Sequence, residues 1–210
     1  MLRMCLSRLP LPCVFMLVGL MVVAAALPAQ ARPGIRLTES SVSYSLPRAR
    51  AEFPHPDEPR QLFFVQRTPN ANTVVYAARF TADGRLDPRR PVVAYWRRYA
   101  SQGQTMRLRW YERLFGYGVW SRPNRNGSGY LVGVNAMRNT SVELRQTGPF
   151  QAALWTRVDN RDFQLVYGYL DLDESGMLPR VERLRLYTTD PETGRYVTHF
   201  FAVSGGEYHE

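Results

Sequence analysis

Lysine is absent from this chain, cysteine occurs twice and histidine three times in 210 residues. Each shortage removes a class of chemistry. Both cysteines, Cys5 and Cys13, fall in the N-terminal apolar segment. Beyond it there is no thiol nucleophile, no disulfide and no cysteine ligand for zinc. His55, His199 and His209 have no metal-ligand spacing, so no metal and no cofactor is expected. No serine sits in a Gly-x-Ser-x-Gly elbow; Asn126-Gly127-Ser128-Gly129 reads as a turn. With no lysine, every cation is an arginine, and the formal charge is +9. Arginine in place of all lysine points to genomic base composition more than to a physical demand. The surplus charge would attract anionic envelope components such as lipid phosphates.

What is present begins with an address. Arg3 and Arg8 precede an apolar run from Cys13 to Leu27, and Ala29-Gln30-Ala31 follows. That order is a secretory signal peptide cut after Ala31, giving a periplasmic or extracellular protein. The run falls short of the ~20 residues a spanning helix needs. Losing Arg3 and Arg8 takes the formal charge from +9 to +7. An exported address makes nucleic acid an improbable partner, although Arg107-Leu108-Arg109-Trp110-Tyr111 would fit one.

Residues 32–60 carry five prolines and read as a linker or arm, in which Ser41–Leu46 alternates like an edge strand. One β-rich domain is expected over 61–204, then a tail over 205–210. Its strands are read at Leu62–Arg67, Thr73–Phe80, Val92–Tyr99, Val119–Ser121, Tyr130–Met137, Ser141–Gln146, Phe150–Val158, Phe163–Leu172, Arg180–Thr188 and Tyr196–Val203. Turn residues separate them. Between Val92–Tyr99 and Val119–Ser121 the period changes. Thr105 caps an expected amphipathic helix over Met106–Phe115 that Gly116 stops, with Leu108, Tyr111 and Phe115 on its inner face. The fold expected is all-β: an antiparallel up-and-down barrel, or a β-sandwich, with one amphipathic helix. Parallel pairing would call for helices between strands, and only one is read.

One set of residues carries a family resemblance. Gln66-Arg67 ends a strand, Pro69-Asn70-Ala71-Asn72-Thr73-Val74 and Tyr76 follow, Tyr95-Trp96 sit in a Pro91-led strand, and Tyr117-Gly118 comes later. This set resembles the secreted bacterial domains of unknown function family 4833, over roughly Pro59 to Val203. The resemblance implies a single extracytoplasmic domain and no particular activity.

Candidate chemistry is thin. Asp171, Asp173, Ser175, Gly176 and Glu182 match the spacing of an EF-hand loop. The flanking strand pattern argues for a β-hairpin turn instead. Asp87, Glu112, Glu143 and Asp162 are scattered carboxylates that the sequence cannot pair, and His199 alternates in phase with Val197 and Phe201. The reading is therefore a non-catalytic binding or envelope-associated β-domain for a small apolar, lipid or glycan ligand. Its candidate binding residues are Arg67, Asn70, Asn72, Tyr95 and Tyr117. The alternative is an envelope-polymer hydrolase using two carboxylates or a His–carboxylate pair. Oligomeric state is left open. Of the resemblance residues, Asn72, Tyr76 and Trp96 are read as turn and core before they are read as site, and a left-handed or side-chain-closed turn is expected at Asn70 and Asn72.

Overall fold

Alternation of apolar and polar residues resolves into twelve strands in a computed structural model describing residues 35–125, 127–135, 141–176 and 180–203. The expected leader, the cut after Ala31, Asn126, Ala136, Met137, Pro179, His209 and the tail lie outside the described residues. In chain order the strands are β1 (Ile35–Ser43), β2 (Gln61–Arg67), β3 (Asn70–Ala78), β4 (Val92–Arg98), β5 (Gln104–Arg107) and β6 (Val119–Pro123). They continue as β7 (Tyr130–Val134), β8 (Val142–Gly148), β9 (Gln151–Val158), β10 (Arg161–Asp173), β11 (Arg180–Thr189) and β12 (Tyr196–Val203). A single helical turn, α1 (Trp110–Glu112), runs into a wider turn over Arg113–Tyr117.

The protein is all-β with one short helix, but its sheet does not close into a barrel. The reason lies in β10, thirteen residues long. One edge of β10 pairs antiparallel with β11. The other edge is shared: Arg161–Gln164 pairs antiparallel with β9, and Tyr167–Leu170 pairs parallel with β2. A strand with two neighbours along one edge branches a sheet instead of ringing it. One arm runs β2-β3-β4-β5, the other β9-β8-β7-β6, and β11-β12-β1 continues the third side. The β2/β10 pair also corrects the wholly antiparallel expectation. No crossover helix is needed, because the whole of β3–β9 serves as the connection.

The two arms share a core. Phe63, Val74, Tyr76 and Trp96 from β2–β4 join Val132, Leu144 and Leu154 from β7–β9, with Leu165, Leu184 and Leu186 beneath. Both arms belong to one continuous twelve-stranded sheet, so the core lies between parts of a single sheet. The other face of the β2/β10/β11 region carries an aromatic row: Phe64 and Tyr167 stack at 4.7 Å, and Tyr167 and Tyr187 at 4.0 Å. The proline-rich segment lies across it. Phe53 is buried there, Gln66 Nε2 donates to the Pro54 carbonyl, and the Tyr167 hydroxyl donates to that of Pro47. Proline and the buried polar groups of the sheet fit each other here, since proline carbonyls accept without offering a donor. The edge strand expected at Ser41–Leu46 forms instead over Ile35–Ser43, against β12.

Candidate functional site

The helix is much shorter than its periodicity suggests. Met106 and Arg107, read as helical, instead belong with Gln104 and Thr105 to β5, which pairs with β4. Arg109, not Thr105, precedes the helical turn, and its N–H donates to Glu112 Oε2 at 2.7 Å. Leu108 is buried, as its place in the pattern requires. Tyr111 and Phe115, expected on the same inner face, are exposed, and so are Trp110 and Leu114. One turn cannot carry a face that spans Leu108 to Phe115, so only Leu108, which precedes the turn, reaches the core.

Four resemblance residues form a bracket under this turn. Tyr76 is fully buried, stacks on Phe63 at 4.2 Å and donates its hydroxyl to the Tyr117 carbonyl at 3.0 Å. Trp96 donates its indole N–H to Glu112 Oε2 at 3.1 Å and meets Tyr117 edge-on at 5.1 Å. Arg67 places its guanidinium 5.5 Å from the Trp96 ring and 5.8 Å from the Tyr117 ring. Burial raises the Tyr117 phenol above its ordinary pKa, and the Arg67 cation pulls part of that back. Strand alternation explains the convergence: Arg67, Tyr76 and Trp96 point to one face of adjacent strands. Of the five candidate binding residues, the structure thus brings Arg67 and Tyr117 together.

The other three go elsewhere. Asn70 Oδ1 accepts from the Asn72 N–H at 3.0 Å, and Asn72 Oδ1 accepts from the Ala100 N–H at 3.2 Å. Of the two geometries expected, the turn takes the side-chain-closed one, and neither asparagine has a positive φ. Tyr95 packs on the opposite face, with Phe64 and Val75. There it neighbours an ion pair between Arg97 and Glu58 at 2.5 Å.

Beside the turn is a shallow cavity of about 470 Å³, open to solvent and lined by Leu114, Trp120, Arg122 and Asn135. Its construction is specific. In the β6–β7 hairpin Trp120 stands opposite Gly133, and a Cβ on Gly133 would lie 2.3 Å from the indole. The ring therefore lies flat on a bare backbone, as close approach requires. Asn135 ties the turn to the hairpin: its Nδ2 donates to the Arg113 carbonyl at 2.6 Å and its N–H to the Gly118 carbonyl at 2.8 Å. Arg122 sits at the rim, 5.8 Å from the Trp120 centroid. None of these four lining residues was singled out in sequence. The glycine inside an alternating strand, opposite a tryptophan in the hairpin, is the signal that marks them.

The hydrolytic candidates are otherwise employed. Glu143 and Asp162 do meet, through Arg145, at 2.5 and 3.0 Å. Arg145 hydrogen bonding holds Glu143 below its ordinary pKa; Arg157, then Arg145, does the same for Asp162. A carboxyl acting as general acid needs the opposite shift. Asp87 is likewise lowered, by the Arg89 N–H first, and Glu112 is engaged by Trp96 and Arg109. His199 is 2% exposed. Its Nδ1 lies 2.9 Å from Ser40 Oγ and its Nε2 3.1 Å from Thr188 Oγ1. The Thr188 hydroxyl already donates to the Val197 carbonyl, so His199 Nε2 donates and Nδ1 accepts from Ser40. This resembles a nucleophile and base, but the orienting group is a hydroxyl, which cannot stabilise an imidazolium as a carboxylate does. The EF-hand spacing falls in the β10–β11 hairpin, where both Asp171 oxygens accept from Arg185.

Two histidines make stability pH-dependent. Burial, then the Arg48 cation, pushes His55 down to about 4, and burial lowers His199 against a small opposing pull from Asp159. The unfolded chain, with histidine near 6.5, binds protons first. Stability is therefore full above about pH 6.5 and falls as the pH drops toward 4. Thermal melting from pH 7.5 to 5 should show this decline, and the double variant His55→Gln, His199→Gln should flatten it. A decline of unchanged steepness in that variant assigns it to other groups.

A family model described as Domain of unknown function (DUF4833) matches residues 63–199. No curated protein and no solved structure matches the chain.

Proposed function

This chain belongs to the family described as Domain of unknown function (DUF4833), and on that premise we propose that it is a non-catalytic binding domain. Its site is the cavity of Leu114, Trp120, Arg122 and Asn135, and its ligand is a small apolar, lipid or glycan molecule. The observation that carries this reading is the flat tryptophan on Gly133. An aromatic floor, an aliphatic wall and one rim cation suit an apolar body with an anionic end, held in an open groove. The same floor suits a sugar ring, with Asn135 at hand. Among the described residues the paired carboxylates are bridged by arginine, which favours binding over hydrolysis.

Calorimetry with decanoate, decyl phosphate and a trimer of N-acetylglucosamine tests the site. At least one should bind, and Leu114→Asp should weaken it tenfold or more. Arg122→Ser should weaken decanoate and decyl phosphate more than the uncharged sugar trimer. If Leu114→Asp binds every probe like wild type, the cavity is not the site. The proposal includes export: the intact mass of the exported form should begin at Arg32, and retention of residues 1–31 would refute the cut.

A further inference from the structure

The segment from Met106 to Phe115 exposes more apolar surface than any packing role explains. Trp110 is 68% exposed, Phe115 67%, Leu114 50%, Tyr111 42% and Met106 40%. An aromatic patch left open on a soluble domain marks an interaction surface. Its surroundings identify the partner. From Pro88 to Val142 the chain has ten arginines and one acid, Glu112. Glu112 is turned inward, accepting from Trp96 and the Arg109 N–H. Arg107, Arg109, Arg113 and Arg122 are exposed and have no ion-pair partner among the described residues.

We propose that the turn docks on an anionic lipid bilayer, with Trp110 and Phe115 seated in the interface and Arg107, Arg109, Arg113 and Arg122 on lipid phosphates. Tryptophan, tyrosine and phenylalanine favour the headgroup level, and arginines beside them add attraction to a negative surface. An apolar face for a second copy of this chain would bring four unpaired arginines against four more, which the charge opposes. No described helix is long and apolar enough to span a membrane. Hydrogen bonds from Trp96 to Glu112 and from Tyr76 to the Tyr117 carbonyl tie the turn to the core and leave its exposed side chains facing outward. Arg122 is shared with the cavity, but Trp110, Phe115, Arg107 and Arg109 do not line it, and the test rests on those four.

The full-length chain is tested on vesicles of phosphatidylcholine alone and with 30% phosphatidylglycerol, so that residues 1–31 contribute equally to every variant. Wild type should partition at least tenfold better onto the anionic vesicles. Trp110→Ser with Phe115→Ser should lose at least tenfold on them while melting like wild type. Arg107→Ser with Arg109→Ser should lose about fivefold per arginine on anionic vesicles and nothing on neutral ones. Brominated lipid should quench a fluorescence component that Trp110→Phe removes. Equal partitioning of wild type and the aromatic variant would overturn the proposal. So would a wild-type dimer in sedimentation that the aromatic variant abolishes, with no recruitment by vesicles; the patch would then be a self-association face. If only the cavity variants lose their small-molecule probes, the ligand reading and this one separate.

Discussion

Tyr76→Ala is expected to remove about 3–5 kcal/mol of folding stability, the usual cost of deleting a buried aromatic ring. Tyr76 is fully buried, stacked on Phe63 at 4.2 Å and packed among residues of both arms of the sheet. Its loss opens a void at the place where the arms face each other. It also removes the donor for the Tyr117 carbonyl. Domains of this kind hold roughly 5–15 kcal/mol in total, so the variant stands near the edge of folding. Tyr76→Phe separates the two effects. It keeps the ring and leaves the carbonyl unpaired, which should cost about 1–3 kcal/mol. Urea unfolding of both variants checks this. If the two lose the same amount, the hydroxyl alone matters and the packing account is wrong.

Gly118→Ala is expected to cost about 2–4 kcal/mol, overpacking and one hydrogen bond together. Conformation is not the reason, since Gly118 has φ −61° and ψ 148°, open to any residue. The reason is contact. A Cβ there would lie 1.9 Å from the Arg113 carbonyl oxygen and 2.8 Å from Asn135 Nδ2. Both belong to the bond that ties the turn to the β6–β7 hairpin. The turn must therefore lift away, taking Leu114 out of the cavity wall. Melting should fall, and limited proteolysis should cut within residues 107–118 before the rest of the domain unfolds. A variant that melts and resists protease like wild type would show that the turn accommodates the methyl freely.

Much of the architecture follows from local pattern. Period-two alternation places most strands within a few residues of their observed bounds, because each strand must show one face to a core whatever its neighbours are. The tight turns follow for the same reason, as does the hairpin across the EF-hand-like spacing. Clustering of Arg67, Tyr76, Trp96 and Tyr117 is partly legible too, since strand parity sends the first three to one face. Helix length was not legible. Met106 and Arg107 fit a 3.6 period, yet hydrogen bonding to the edge of β4 outweighs one more helical turn. That competition depends on an edge that exists only once β4 is in place. Tyr95 and Tyr117 look alike in sequence and end on opposite faces, because one lies in β4 and the other in the turn beyond β5. The branching at β10 and the cavity beside Trp120 are decided by tertiary structure alone. Each depends on residues far apart in the chain, Phe64 with Tyr167 across a parallel pair and Leu114 with Asn135 across a hairpin. Local periodicity states which face a residue shows; only the pairing of distant strands states what that face meets.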